Sequence, residues 1–322
     1  MCNEAFDKVN HHKLCLKLNN CGVKGNCFKW IRAFLSGRTQ QVVLNGKFSS
    51  KKPVLSGVPQ GTVLDPLLFL IYINDMPPYV KSKMRLFADD AYLYKVIDTI
   101  EDSTTLQEDL NQLQEWERFW DMEFHSGKCK SLTVTNKTKP IRSTYHIHNE
   151  NLENVTNAKY LGVTINKNLK WNTHVDSICK KAIQKQRFLQ RNMRKCSRNS
   201  RIKAYKTYVQ PILKYASPVW NPVGTKTLCD KIENVQRKAA RFVFNEWSYE
   251  SSQSQMIKKL GWSSLSCQRS ITSLLTLYNI CNGVLEMPPD FGPTIARNGL
   301  WYNPIQGRVL VYQNSFLPSV ER

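Results

Sequence analysis

Two adjacent aspartates, Asp89 and Asp90, follow an apolar run and are the residues of this sequence best suited to chemistry. Like charges this close repel each other, and burial would drive one carboxyl group to take up a proton. A divalent cation removes that conflict, because hard carboxylate oxygens are the ligands that Mg²⁺ selects. The pair could then hold metal ions that activate a hydroxyl nucleophile and stabilise a phosphate leaving group. An ordinary turn is the alternative, and the dipeptide taken alone favours it.

A second candidate is the segment Ser56–Thr62 (SGVPQGT), which stands immediately before an apolar stretch. Gly57 and Gly61 permit a close approach of the backbone, Pro59 stiffens the loop, and Gln60 offers both donor and acceptor groups. If a helix begins behind this loop, its N-terminus would favour a phosphate group. The alternative is a plain connection between two elements.

The net charge of the chain indicates the class of partner. The 322 residues contain 46 Lys and Arg against 25 Asp and Glu, for a formal charge of +21. A field of that sign and size favours polyanions, nucleic acid first and an anionic membrane surface second. A basic surface kept only for solubility is the alternative, although solubility requires a smaller charge.

Cysteine usage and hydropathy exclude several classes of protein. None of the 10 cysteines forms a Cys-x-x-Cys pair, and His174, Cys179 and Cys196 do not have the spacing of zinc ligands. Reduced thiols are expected, and they predict an intracellular protein, in the nucleus or the cytoplasm. The N-terminus has no apolar signal region and no stretch is long enough to span a membrane, so we expect a soluble, unsecreted chain.

Apolar periodicity predicts the elements that would position these residues. The predicted helices are Phe28–Leu35, Pro66–Ile73 (buried on all sides), Thr104–Trp120, Val175–Met193, Ile202–Tyr215 and Leu228–Phe244. The predicted strands are Gln41–Leu44 with Lys52–Leu55 returning after an Asn-Gly turn, the two halves of Arg85–Tyr94 with the acids at the tip, Ser131–Thr135 and Lys159–Ile165. The stretch from about Met287 reads as a loop rich in Pro and Gly.

The character of the chain changes near residue 168, which predicts a domain 1–168 and a helical, basic domain 169–322. The basic residues form a dense stretch over about five helical turns. They are Lys180, Lys181, Lys185, Arg187, Arg191 and Arg194, followed by Lys195 and Arg198. Such a stretch suits the phosphates of a nucleic-acid duplex. We interpret the interleaved aromatic residues as core rather than as stacking platforms.

Five motifs in a fixed order carry a resemblance to a known family. They are AFDKVNH at Ala5–His11, SGVPQGT at Ser56–Thr62, FADD at Phe87–Asp90, GKC at Gly127–Cys129 and YLG at Tyr160–Gly162. This order resembles the reverse transcriptases of non-LTR (LINE-type) retrotransposons of the jockey and CR1 kind. The run Tyr208–Tyr215 resembles the thumb of that family, and weaker signals extend to Tyr312–Phe316.

The resemblance implies an α+β fold: a right-hand polymerase palm with an antiparallel sheet and helices, motifs A (partial) to E, and a helical thumb. It implies nucleotidyl transfer to a primer 3′-hydroxyl with two Mg²⁺ or Mn²⁺ ions. The partners would be an RNA template, a DNA primer and dNTP, without a membrane or a small-molecule cofactor. Asp89 and Asp90 would hold the metal ions, and Lys128 would protonate the leaving pyrophosphate.

Further roles follow from the same resemblance. The residues expected to contact the nucleotide or template are Phe6, Ser56, Gly57, Pro59, Gln60 and Gly61. The expected primer grip is Tyr160, Leu161 and Gly162. Structural alternatives stay open for three of them: Phe6 as core, Lys128 as a solvated charge and Tyr160 as sheet packing.

The sequence also departs from the family pattern. The family's first metal-binding aspartate lies five residues before the position of Phe6, which is Met1 here. A thioether is a poor Mg²⁺ ligand, and the fingers expected before this point are largely missing. Asp65 stands where the family usually has Gly, and His125 where it usually has Asn. We therefore expect negligible polymerase activity from this chain. The alternatives are a non-catalytic, nucleic-acid-binding relic and a host-adopted RNA-binding protein.

Overall fold

The computed structural model describes residues 5–287. The chain forms two compact units, Met1–Val155 and Thr156–Arg322. Within residues 5–287 the architecture is a mixture of helices and small two-stranded sheets, five of them antiparallel and one parallel. The α+β class is confirmed at this level. The strands of residues 5–287 form separate pairs, and no wider sheet joins them.

The first unit contains four helices among its described residues. They are α1 (His11–Asn20), α2 (Gly25–Leu35), α3 (Asp65–Ile73) and α4 (Ile100–Trp120). Its strands are β1 (Thr39–Gln40), β2 (Val43–Leu44), β3 (Lys47–Phe48), β4 (Lys52–Pro53), β5 (Lys83–Phe87), β6 (Asp90–Tyr94), β7 (Lys130–Ser131), β8 (His146–Ile147), β9 (Glu150–Asn151) and β10 (Glu153–Asn154). Short 3₁₀ helices span Pro77–Tyr79 and Ser126–Lys128.

Two predicted strands of this unit need correction. After the turn at Asn45 and Gly46, β2 pairs with β3, whereas β4 pairs with the earlier β1. The returning strand is therefore Lys47–Phe48, because a two-residue turn returns the chain at once. The predicted strand Ser131–Thr135 is regular only over Lys130–Ser131, where it runs parallel to β10.

Helix α3 was expected to be buried on all sides, and that prediction is wrong. Leu68, Phe69 and Tyr72 are buried in the core. Leu67 and Leu70 point outward and are 53% and 46% exposed. An apolar sequence fixes the helix but not the number of neighbours that cover it, so one stripe is left uncovered.

A buried lysine lies at the centre of the first core. Lys17 of α1 is 5% exposed, and its Nζ lies 3.6 Å from the ring centroid of Trp120. The ammonium donates hydrogen bonds to the Asp75 carboxylate, at 2.6 Å, and to the Tyr72 carbonyl. The Trp116 indole donates to the same Asp75 oxygen at 3.0 Å. This network connects α1, α3 and α4 behind the loop Ser56–Thr62.

Burial of Lys17 predicts a stability that rises with pH. Desolvation lowers the pKa of Lys17 from 10.5 to about 8, against the opposing hydrogen bond from Asp75. Between these values the unfolded chain binds a proton that the folded chain has lost, so unfolding becomes less favourable as pH increases. From about pH 7.5 to 9.5 this group should add roughly 2 kcal/mol to the free energy of unfolding.

The measurement is urea unfolding of the parent chain and of Lys17→Met at both pH values. Because other titrating groups are common to both proteins, their contributions cancel in the difference. The parent should gain stability relative to the variant at the higher pH. A difference that is constant or decreases would contradict the burial of a charged Lys17.

The second unit consists mainly of helices. They are α5 (Asn172–Asn192), α6 (Arg198–Tyr208), α7 (Ser217–Trp220), α8 (Lys226–Phe244), α9 (Gln253–Lys259) and α10 (Leu265–Cys281), with a 3₁₀ helix at Gln210–Leu213. One hairpin precedes them, formed by β11 (Asn157–Tyr160) and β12 (Val163–Asn166). On α8 the buried residues recur every three or four positions, as Leu228, Ile232, Val235, Ala239 and Val243. This apolar stripe explains why α8 lies in the core, where α5 packs against it.

Several predictions for this unit change in detail. The predicted helix Ile202–Tyr215 is divided into α6 and the 3₁₀ helix, because Pro211 cannot continue an α-helix. The basic stretch predicted as about five turns ends at Asn192, so Arg194 lies in a turn beyond α5. The loop predicted from Met287 onward and the weaker motif Tyr312–Phe316 fall outside the described residues, apart from Met287 itself. No helix among residues 5–287 is long and apolar enough to cross a membrane.

Candidate active site

Asp89 and Asp90 lie where β5 turns into β6. Phe87 pairs with Asp90, so the loop between the strands contains only Ala88 and Asp89. Ala88 has φ +48°, a left-handed conformation that costs an alanine on the order of 1 kcal/mol. Two-residue hairpin loops require such a conformation. The turn brings two half-buried carboxylates together at one end of the hairpin, as the sequence predicts.

A buried acid on α4 holds the entrance to β5. The carboxylate of Asp109 accepts hydrogen bonds from the backbone N–H groups of Lys81 and Ser82, each at 2.8 Å. Asp109 is buried. The two bonds tie the start of the strand that leads to Asp89 to a 21-residue helix. They restrict sliding of β5, since buried carboxylates are costly to leave unpaired.

The loop Ser56–Thr62 is joined to the segment around Phe6 by its backbone. Gly57 N–H donates to the Val9 carbonyl at 2.8 Å, and Val58 N–H to the Phe6 carbonyl at 2.9 Å. The Ser56 hydroxyl donates to the Asp7 carbonyl at 2.8 Å. Two motifs that are about 50 residues apart in the sequence therefore form one unit of structure.

Gly57 is required at this junction for two reasons. Its φ is +86°, and a Cβ atom there would lie 2.8 Å from the Asp7 Cα atom. Gly61 has the same φ, but a Cβ atom there would meet no atom within 4 Å. The sequence predicts a close backbone approach at both glycines, and the structure shows one only at Gly57.

Gln60 and Asp65 complete the loop. The Gln60 amide donates to the Asp7 carboxylate at 3.1 Å, and Gln60 is otherwise exposed. Asp65, which is buried, accepts a hydrogen bond from Gly61 N–H at 3.0 Å, and its own N–H donates to the Thr62 hydroxyl at 3.3 Å. The carboxylate that was expected near a phosphate path is thus bonded to the loop itself, at the N-terminus of α3, where negative charge is favourable.

The remaining predicted site residues of the first unit are less constrained. The Phe6 ring stacks on Phe69 of α3, with centroids 4.3 Å apart, and is half-buried. Lys128 is exposed at the end of the 3₁₀ helix that follows His125. Among the described residues no hydrogen bond or ion pair connects Lys128, Asp89 and Gln60 to one another.

Tyr160, Leu161 and Gly162 lie at the turn of the second unit's hairpin. Tyr160 pairs with Val163, which leaves Leu161 and Gly162 as a two-residue loop with φ of +44° and +84°. Positive φ at both positions is the geometry of a type I′ turn.

The predicted cationic residues of α5 lie on its exposed side. They are Lys180, Lys181, Lys185, Arg187 and Arg191. The opposite side is buried against the second core. The basic part of the helix therefore faces solvent as a nucleic-acid interface requires.

The chemistry of the donor set suits a hard divalent cation, since Asp89 and Asp90 offer only carboxylate oxygens. Among residues 5–287 no group of three or more His, Cys, Asp or Glu side chains is arranged to hold a metal ion. The described acids thus provide two ligands of a metal site and no third. Met1, at the position of the family's first acid, is outside the described residues.

Sequence reasoning missed three residues that shape the site. Asp7 belongs to the AFDKVNH motif but had no assigned role, Asp109 was one polar position on a helix, and Tyr215 was only part of a thumb-like run. Each acts through a contact with a residue far away in the chain. Periodicity carries no signal for such contacts, although an acid on a helix's inward face is a hint for Asp109.

Comparison with known proteins adds an independent line of evidence. The family described as "Reverse transcriptase (RNA-dependent DNA polymerase)" matches residues 2–165, half of the chain. An RNA-directed DNA polymerase from the mobile element jockey of Drosophila funebris is 32% identical over 250 residues, which are 74% of this chain and 27% of the relative. A probable RNA-directed DNA polymerase from the X-element transposon of Drosophila melanogaster is 30% identical over 254 residues, 76% of this chain and 28% of the relative.

A more distant relative is a Pol polyprotein of the type-1 retrotransposable element R2 from Popillia japonica, 22% identical over 75% of this chain. The chain spans little more than a quarter of the length of the first two relatives. Their matches are longer than the family match and so extend into the second half of the chain. Motif order, hairpin geometry and these similarities agree: the chain belongs to the reverse transcriptase (RNA-dependent DNA polymerase) family, with relatives in non-LTR retrotransposons.

Proposed function

We propose that this chain is part of an RNA-directed DNA polymerase that adds nucleotides to a primer 3′-hydroxyl by a two-metal mechanism. The observation that carries the proposal is the pair Asp89 and Asp90, held at a strained two-residue turn between β5 and β6. Strained backbone of this kind is concentrated at functional sites. Residues 1–168 act as the palm and 169–322 as the thumb and C-terminal region.

Asp89 and Asp90 hold the metal ions, which when bound lower the pKa of the primer hydroxyl and neutralise charge on the phosphates. Lys128, exposed and mobile at its tip, donates a proton to the leaving pyrophosphate. Phe6 lies under the incoming sugar and excludes a 2′-hydroxyl. The loop residues Ser56, Gly57, Pro59, Gln60 and Gly61 contact the nascent base pair and the template.

The proposed partners are an RNA template, a DNA primer and dNTP. The turn Tyr160, Leu161 and Gly162 holds the primer end. The residues that contact the nucleic-acid backbone are Lys180, Lys181, Lys185, Arg187, Arg191 and Arg194. We further propose that the 322-residue chain has negligible polymerase activity by itself, because position 1 offers a thioether instead of a carboxylate.

A titration with Mn²⁺, followed by electron paramagnetic resonance, tests the metal site directly. The parent chain should bind Mn²⁺ at a site that Asp89→Asn abolishes, because the amide that replaces a carboxylate carries no charge. The control is Asp98→Asn, an exposed acid in an ion pair with Lys137. Equal binding by the parent and Asp89→Asn would contradict the assignment.

Non-catalytic nucleic-acid binding is a second candidate function, favoured by one stripe on α5. Lys180, Arg187 and Arg191 are exposed and lie seven and four residues apart, so they follow one face of the helix with Gln184 between them. Within the described part of the chain none of the three forms an ion pair. Three free cations in a row suit successive phosphates.

Changing all three cations to alanine should reduce the salt dependence of binding to an RNA–DNA hybrid. Each lost phosphate contact lowers the slope of log K against log salt by about 0.9, so the slope should decrease by nearly 3. The matched control removes three exposed lysines elsewhere in the same unit, Lys226, Lys258 and Lys259. Filter-binding titrations measure both slopes, and an equal decrease in both variants would dispose of the stripe as an interface.

A further inference from the structure

The hairpin turn of the second unit is held in an unfavourable conformation. Leu161 has φ +44° in the first position of the loop between β11 and β12. A branched residue with a Cβ atom is disfavoured there by on the order of 1–2 kcal/mol, whereas Asn or Gly would fit readily. A conformation of this kind persists only where the surroundings determine it.

Tyr215 provides that determination. Its hydroxyl group donates a hydrogen bond of 2.9 Å to the Leu161 carbonyl, across 54 residues of sequence. Its ring also lies against the next residue of the turn: a Cβ atom on Gly162 would be 3.1 Å from the Tyr215 Cε1 atom. The tyrosine therefore contacts both residues of the loop.

The backbone of Tyr215 is itself fixed. The indole N–H of Trp220 donates to the Tyr215 carbonyl at 2.7 Å, and Tyr215 N–H donates to the Pro211 carbonyl at 2.9 Å. Trp220 is completely buried in the second core. The Tyr215 side chain, in contrast, is 59% exposed. An exposed ring anchored this firmly contributes little to the core, so its contacts with the turn are its main structural effect.

We propose that Tyr215 is a positioning residue, which holds the Leu161–Gly162 turn in the left-handed conformation that presents the hairpin to the primer end. The inference rests on the proposed role of this hairpin as primer grip. Tyr215 touches neither primer nor nucleotide in this proposal. It acts through Leu161, whose carbonyl it keeps in place.

The first experiment measures hydrogen exchange of the β11–β12 amides in the full chain. Tyr215→Phe keeps the ring and removes the hydroxyl, so the hairpin amides should exchange about threefold to tenfold faster. Adding Leu161→Asn should restore slow exchange, because Asn tolerates the left-handed conformation without help and Asn-Gly is the favoured type I′ sequence. Loss of general stability would not be rescued in this way. Unchanged exchange in Tyr215→Phe would overturn the proposal.

The second experiment separates this proposal from the primer role of the hairpin. The probes are an RNA–DNA hybrid with a recessed primer 3′ end and a blunt hybrid of the same length. The parent should prefer the recessed end, Tyr160→Ala and Tyr215→Phe should both reduce the preference several-fold, and Leu161→Asn should restore it in the Tyr215→Phe background. A preference lost in Tyr160→Ala but kept in Tyr215→Phe overturns the role of Tyr215 alone. A parent without any preference overturns the primer grip, and the role of Tyr215 with it.

Discussion

Replacing Gly57 with alanine should release the loop Ser56–Thr62 from the segment around Phe6. The new Cβ atom would lie 2.8 Å from the Asp7 Cα atom, which is backbone and cannot rotate away. The φ of +86° adds strain for any residue with a side chain. Strain and overpacking together should cost about 3 kcal/mol.

Gly61→Ala is the matched control, because Gly61 has the same φ and open space around it. It should carry only the conformational strain, about 1–2 kcal/mol. Hydrogen exchange at the amides of Gly57 and Val58 provides the measurement, since these donate to Val9 and Phe6. The amide of residue 57 and that of Val58 should exchange roughly a hundredfold faster in Gly57→Ala and far less so in Gly61→Ala. Equal effects would show that the close approach to Asp7 does not hold the loop.

Local pattern was enough to predict the elements that carry the site. The apolar runs around Asp89 and Asp90 predict the hairpin, and the structure forms it with a two-residue loop. Likewise, three- and four-residue spacing predicts α4 and α8 to within a few residues of their ends. These elements depend on interactions between near neighbours, which is why the sequence alone determines them.

The contacts between distant segments were not predictable in the same way. Nothing in the spacing of residues indicates that Asp7 would accept a hydrogen bond from Gln60, or that Asp65 would turn toward Gly61. The pairing of β1 with β4 is another case, because alternation identifies strands but not partners. The family resemblance, in turn, assigned roles to these residues but no geometry.

The acid pair predicts the outcome of the most demanding assay. In the family a further carboxylate shares the metal ions with the position of Asp89, and that position is Met1 in this chain. Weak binding of Mg²⁺ by a thioether would leave the developing charge on the phosphates poorly stabilised. We expect polymerase activity lower by roughly a thousandfold or more than that of a complete site.

Primer extension on an RNA template tests this account most directly. The reaction contains the 322-residue chain, a DNA primer, all four dNTPs and either Mg²⁺ or Mn²⁺, with an active reverse transcriptase as positive control. The parent chain and Asp89→Ala should give the same background, with no template-directed product. Template-directed DNA synthesis by the parent that disappears in Asp89→Ala would contradict the account, because Asp89 and Asp90 would then support catalysis without a carboxylate at position 1.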